Sequence, residues 1–246
     1  MTHVVVGYPS LSETEKLIKL MDKIGIDFIE LQIPFSDPLA DGPTIMKACE
    51  ASLENGTKVK DAFVLAKKLS QEIKTPLLFM AYFNTVFKYG VDKFCKDAKE
   101  AGISGLIVPD IPLEEEENEG FIKYVTSHGL HHIRVLSPAS TEERLIKNSK
   151  VANGFVYFTS RQGITGAKTS LDPKLISNLK LVKKYIKIPL AVGFGISKAP
   201  HLNALKGHAE IAVVGSAILD IINASDDNYL KKVKNFLKDL KKWKEF

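Results

Sequence analysis

The sequence predicts a (β/α)8 barrel of the TIM-barrel kind, occupying residues 1–246 as one domain. Short β-rich runs alternate with longer amphipathic stretches from end to end, and eight such runs can be placed. Most of them are continuously apolar rather than alternating, the pattern of parallel strands covered by helices. The joints also repeat. Ile24-Gly25-Ile26-Asp27 and Ala101-Gly102-Ile103-Ser104 put a glycine between helix and strand, while Thr75-Pro76-Leu77 and Ile188-Pro189-Leu190 open strands after a proline. Eight units in about 250 residues favour a closed barrel, which leaves no sheet edge to protect.

Taken in order, strand one is Thr2-Val6, ended by the turn residues Gly7-Tyr8-Pro9. Leu17, Ile18, Met21 and Ile24 then recur at helical spacing until Gly25 stops the helix. Phe28-Ile33 is the second strand. Helices over Thr44-Leu53 and Val59-Ile73 lead to the third, Leu77-Tyr82. Val91-Ala101 reads as a helix before strand four, Gly105-Val108, and Glu115-His128 as a helix before strand five, His132-Leu136. The charge run Glu114-Glu117 falls at that helix start, where the helix dipole favours carboxylates. Thr141-Lys147 precedes strand six, Gly154-Phe158, and Pro173-Tyr185 precedes strand seven, Leu190-Val192. Pro200-Leu205 leads to strand eight, Ile211-Val214, followed by helices over Ser216-Ile222 and from about Asp227. In the last, Leu230, Val233, Phe236, Leu237, Leu240 and Trp243 share one face. Packing on the outer ring, with the lysines in water, explains that face better than a membrane surface does.

Apolar residues make up 45% and charged residues 26%, enough for a sizeable core and against disorder. The net charge of +5 is spread along the chain without the basic and aromatic clustering of a nucleic-acid binder. No run approaches the roughly 20 apolar residues of a membrane span. The first residues lack the basic leader and apolar core of a signal peptide, so the cytoplasm is the expected compartment. Cys49 and Cys95 stand apart from each other and from any histidine cluster, and read as reduced, buried thiols rather than a disulfide or metal site.

A barrel of this kind carries its chemistry at the C-terminal ends of the strands. Three groups fall there. Glu30 interrupts the apolar run Phe28-Ile29-Glu30-Leu31, a costly place for a carboxylate unless it is paired or functional, and should point into the barrel. Asp41 follows in the loop Pro34-Pro43, where Asp-Gly-Pro is also a plain turn. Glycines cluster after strand seven, Gly193-Phe194-Gly195, and after strand eight, Gly215-Ser216. Each cluster leads into a helix start, and together they suit a phosphate group. After strand six, Thr159-Gly166 has the composition of a lid that closes over substrate.

The segment Glu30-Leu31-Gln32-Ile33-Pro34-Phe35-Ser36-Asp37-Pro38-Leu39-Ala40-Asp41-Gly42-Pro43 closely resembles the signature of the tryptophan synthase α chain. Gly7-Ser10, Ala81-Asn84, Val108-Pro112, Ser160-Gly166, Gly193-Ser197 and Val214-Ala217 match the family's other motifs in order and spacing. The resemblance implies that Glu30 and Asp41 are the catalytic carboxylates and that Tyr157 lies near the substrate's glycerol chain. It implies phosphate binding by Gly166, Gly195, Gly215 and Ser216, a lid contact from Thr165 to the catalytic aspartate, and an indole pocket lined by Tyr82 and Phe194. Three departures stand out. The short helix that many relatives carry before strand one is expected to be missing, Gln32 stands where glycine is usual, and Tyr8 replaces a common aspartate. Gln32 adjoins Glu30 and is expected to alter its setting.

The activity so implied is retro-aldol cleavage of indole-3-glycerol phosphate to indole and glyceraldehyde 3-phosphate, with no metal or organic cofactor. Glu30 is expected to protonate indole C3 and then take the substrate hydroxyl proton, while Asp41 accepts from the indole N–H. The family also implies a partner, a β subunit that uses pyridoxal phosphate and receives the indole within an α2β2 assembly. Its expected contact surface is Pro34-Pro38 and the region around Asn84. Two alternatives use the same residues, a stand-alone lyase and a weakly catalytic activator of the β subunit. A different phosphate-binding barrel is disfavoured by the long signature after strand two.

Overall fold

The computed structural model describes residues 1–159, 173–193, 195–224 and 228–241. Eight parallel strands pair in chain order: β1 Thr2–Val5, β2 Ile29–Gln32, β3 Leu77–Met80, β4 Ile103–Ile107, β5 His131–Leu136, β6 Val156–Thr159, β7 Leu190–Gly193 and β8 Ile211–Val213. The ring closes at a parallel bridge between Thr2 and Val214, where the His3 N–H donates to Val214 O at 2.9 Å and the Val214 N–H to Met1 O at 3.1 Å. The (β/α)8 barrel expected from the sequence is therefore the fold, with every strand within a few residues of its predicted place.

Between them run α1 Leu11–Ile24, α2 Pro43–Glu54, α3 Val59–Ser70, α4 Phe83–Tyr89, α5 Val91–Glu100, α6 Glu116–Glu119, α7 Phe121–Ser127 and α8 Glu142–Val151. The remaining helices are α9 Pro173–Tyr185, α10 Ala199–Leu205, α11 Ser216–Asn223 and α12 Tyr229–Lys241. Local chemistry explains their limits. In α1 the Ser10 side chain caps the start by accepting from the Glu13 N–H, and Gly25 ends it in a left-handed conformation with φ 79°. Pro43 opens α2 at a position where its missing N–H costs nothing.

Two elements depart from the sequence reading. The single helix expected over Glu115-His128 is divided at Gly120, which takes φ 60°. The Glu116 carboxylate then accepts from the Ile122 and Lys123 N–H groups at 2.7 and 2.9 Å and starts α7 afresh. The short helix α4 was not anticipated. Its first N–H, from Phe83, donates to Asp110 Oδ1 at 2.8 Å, so the cap comes from the loop after β4 rather than from the helix's own sequence.

The strand pleat sorts the core into two regions. Val4, Ile29, Leu31, Phe79, Leu106, Val156 and Val192 face outward and pack against the helices. Leu78, Met80, Tyr82, Ile107, Ile133, Phe155, Ala191 and Val213 face inward and fill the barrel. Helix α12 buries Tyr229, Val233, Leu237 and Leu240 against the outer ring, as expected for its apolar face; Trp243 lies outside the described residues. Cys49 and Cys95 are buried free thiols, each pushed up to about 12 by burial. Among the described residues, no helix is long and apolar enough to cross a membrane.

Candidate active site

Glu30 belongs to the inward set. Its neighbours Ile29 and Leu31 pack outward, and across the sheet it pairs with His3 of β1 and Leu78 of β3. Its side chain is only 3% exposed, and Oε1 lies 3.2 Å from His3 Nδ1. Oε2 is buried without a hydrogen-bond partner. A buried carboxyl with one unmatched oxygen has lost hydration that the fold has not replaced, which marks a place for a ligand or a proton.

Asp41 comes to the same mouth from the loop after β2. The Gln32 side-chain amide donates to its Oδ2 at 2.7 Å, and the Tyr82 hydroxyl donates to the same oxygen at 2.9 Å. Tyr82 in turn accepts from the Ala40 N–H at 2.9 Å and stacks on Phe35, with ring centroids 5.2 Å apart. The loop carrying Asp41 is thus fixed at three points. Burial pushes the Asp41 carboxyl above the ordinary aspartate range, against the opposing pull of His3, Gln32 and Tyr82. Gln32, expected to alter the setting of Glu30, donates to Asp41 and also faces His3, the partner of Glu30.

Tyr157 projects inward from β6. Burial, with the charges of Glu30 and Asp41, raises its phenol well above the ordinary tyrosine range, so it stays a neutral donor. Its hydroxyl lies over Gly193, where an added Cβ would stand 2.9 Å from the phenolic oxygen. That close approach is why the last residue of β7 has no side chain. Gly195 has φ 77°, and an added Cβ there would meet open space. Gly215 precedes α11 and Ser216 begins it. The described part of the site therefore gathers Glu30, Asp41, Tyr82, Tyr157, Gly195, Gly215 and Ser216 at one end of the barrel. Thr165, Gly166 and Phe194, and the expected lid from Ser160 onward, lie outside the described residues.

Sequence reasoning missed His3 and Asp110. His3 sits among valines at the start of a strand and looks like an ordinary core histidine. Asp110 lies in the motif Val108-Pro112, where no local pattern signals its role; it caps α4 and ties the loop after β4 to the loop after β3.

Comparison with known proteins now bears on this arrangement. The family model for the tryptophan synthase alpha chain matches residues 1–245. The chain belongs to the tryptophan synthase alpha chain family. It is 43% identical over 241 residues to the tryptophan synthase alpha chain of Desulfotalea psychrophila, covering 98% of this chain and 93% of that one. It is 40% identical over 246 residues to that of Petrotoga mobilis, covering 99% and 95%. A chain from a structure of the tryptophan synthase a2b2 complex of Pyrococcus furiosus superposes with a TM-score of 0.92 at 32% identity, covering 98% and 96%. The family likeness runs from the first strand to the last helix.

Proposed function

We propose that this tryptophan synthase alpha chain cleaves indole-3-glycerol phosphate to indole and glyceraldehyde 3-phosphate, with Glu30 and Asp41 as its two catalytic groups. The observation that carries the reading is their unequal setting at one barrel mouth. Glu30 is buried with a free oxygen, while Asp41 is held by two donors on one oxygen.

Glu30, through Oε2, protonates indole C3, and positive charge spreads over the ring. Asp41 accepts the indole N–H, using the oxygen that Gln32 and Tyr82 leave outside their clamp, and stabilises that cation. Glu30, now a carboxylate, removes the proton of the substrate hydroxyl as the carbon–carbon bond breaks, and indole and the aldehyde separate. Tyr157, a neutral donor beside both carboxyls, orients the glycerol chain. Gly195, Gly215, Ser216 and, beyond the described residues, Gly166 hold the phosphate, with the first N–H groups of α11 supplying donors. Binding energy from that remote phosphate goes into placing the reacting carbon. Phe194 and Tyr82 border the indole, and Thr165 closes on Asp41.

The whole of residues 1–246 acts as one domain in the cytoplasm, in partnership with a β subunit in an α2β2 assembly. Leu39, in the loop after β2, is 78% exposed, and Phe87, on the helix after β3, is 57% exposed. Exposed apolar side chains on the two expected contact elements suit a protein surface.

The test is indole release from indole-3-glycerol phosphate by the chain alone and with a cognate β subunit. Release that rises strongly with the partner supports the reading. Equal and fast release in both favours a stand-alone lyase. Glu30→Gln should abolish turnover while substrate still binds, and measurable turnover by that variant defeats the assignment.

A further inference from the structure

His3 and Glu30 are register partners on β1 and β2, both turned into the barrel and only 5% and 3% exposed. A buried pair of this kind returns little net stability, because desolvation offsets most of the attraction. Two apolar side chains would serve the barrel interior at least as well. The pair is also incomplete, since His3 Nε2 and Glu30 Oε2 are both buried without partners. The groups facing the His3 ring are the Glu30 carboxyl and Gln32 amide from β2, the Asp41 carboxyl from the following loop, and Gly215 from beyond β8. A Cβ added at Gly215 would lie 3.2 Å from His3 Cβ and 3.5 Å from two ring carbons. The imidazole therefore stands between the carboxyl proposed to move the proton and the corner proposed to hold the phosphate. Burial pushes His3 down, yet Glu30 and Asp41 outweigh it, and the ring's pKa is raised.

Building on the lyase reading above, we propose that His3 is the positioning residue of Glu30. The Nδ1–H donates to Oε1, which fixes the plane of the carboxyl and leaves Oε2 as the oxygen that exchanges protons with the substrate. When Oε2–H protonates C3, the new negative charge on Glu30 is shared with the Nδ1–H bond. When the substrate hydroxyl gives up its proton, Oε2 receives it and the starting state returns. His3 itself neither gains nor loses a proton over the cycle.

Steady-state indole release, with the cognate β subunit present, tests this on three variants. Asparagine can place an amide donor where Nδ1 stands, glutamine where Nε2 stands, and leucine has none. His3→Asn should keep kcat within about threefold of wild type, whereas His3→Gln and His3→Leu should lose roughly 10- to 100-fold in kcat with KM nearly unchanged. Equal kcat in the Asn and Gln variants, or full kcat in His3→Leu, overturns the proposal. So does a rise in KM without loss of kcat, which would make His3 a wall of the pocket. If His3→Leu does not fold, the Asn and Gln pair decides alone. Histidine 15N NMR of the wild type gives a reading free of substitutions, and an unprotonated Nδ1 on His3 also overturns the proposal. No indole from the wild-type chain with its partner would overturn the lyase reading itself, a separate outcome from any of these.

Discussion

The Gln32 side-chain amide donates to Asp41 Oδ2 at 2.7 Å, joining the last residue of β2 to a carboxylate nine positions along the chain. Tyr82 donates to the same oxygen, and both bonds favour the ionised form against a burial that disfavours it. Removing the tyrosine hydroxyl should therefore raise the Asp41 pKa further. A step that needs ionised Asp41 fails as pH falls through that pKa, so the acid limb of kcat against pH should move to higher pH in Tyr82→Phe. Gln32→Ala should move it the same way, with about a tenfold loss at neutral pH. A pH–rate profile for each variant measures both, and an unmoved acid limb would separate Asp41 from the rate.

Gly193 makes room for Tyr157. In Gly193→Ala the new methyl would stand 2.9 Å from the phenolic oxygen and force it aside. The expected result is roughly a tenfold fall in kcat/KM with a melting temperature within a few degrees of wild type. Adding the same alanine to Tyr157→Phe should cost much less, because the displaced hydroxyl is already gone. A double-mutant cycle on kcat/KM reads the difference.

Away from the site, Asp22 Oδ1 accepts from the Lys74 N–H at 3.0 Å, the Thr75 N–H at 3.0 Å and the Thr75 hydroxyl at 2.8 Å. It clamps the end of α1 to the entry of β3. Burial works against the charge, but these three donors outweigh it and hold the carboxyl below the ordinary aspartate range. A depressed native pKa means the contribution is present above the unfolded value of about 3.9 and lost as pH falls through the native one. Asp22→Ala should cost about 2 kcal/mol at neutral pH. Urea titrations from pH 7 to pH 3 should show that difference shrinking toward the acid end.

Arg134 points outward from β5 and is 6% exposed. Its guanidinium donates to Asn148 Oδ1 at 2.7 Å and to Ile111 O at 3.3 and 3.4 Å, and burial lowers its pKa to about 10. It remains charged at neutral pH, so its partners matter. Asn148→Leu should destabilise by about 3 kcal/mol, measured by denaturant unfolding, because a buried cation loses its nearest acceptor.

Much of this fold was legible because each unit repeats the same physical problem: a short apolar strand, a covering helix, and a glycine or proline at the joint. What escaped had causes outside its own segment. The cap of α4 is Asp110, 27 residues after the N–H it accepts from, so no local pattern announces that helix. The break at Gly120 was masked by a run of good helix formers on its N-terminal side. Within the site, Glu30 was visible because a carboxylate inside an apolar strand is anomalous. His3 was not, because its meaning lies in a register partner on another strand. Gln32 was noticed as a departure, but its target needed the path of the loop that returns Asp41 to it.

The barrel closes where Thr2 meets Val214 and the His3 N–H reaches Val214 O. That bond joins β1 to the end of β8, more than two hundred residues further along the chain. β1 must wait for its second neighbour until β8 has been made. The histidine beside Glu30 and the glycine corner at Gly215 can therefore be brought together only once the chain extends past β8. A polypeptide that stops short of β8 would hold the carboxylates of β2 and its loop, yet have no closed seam to set them in.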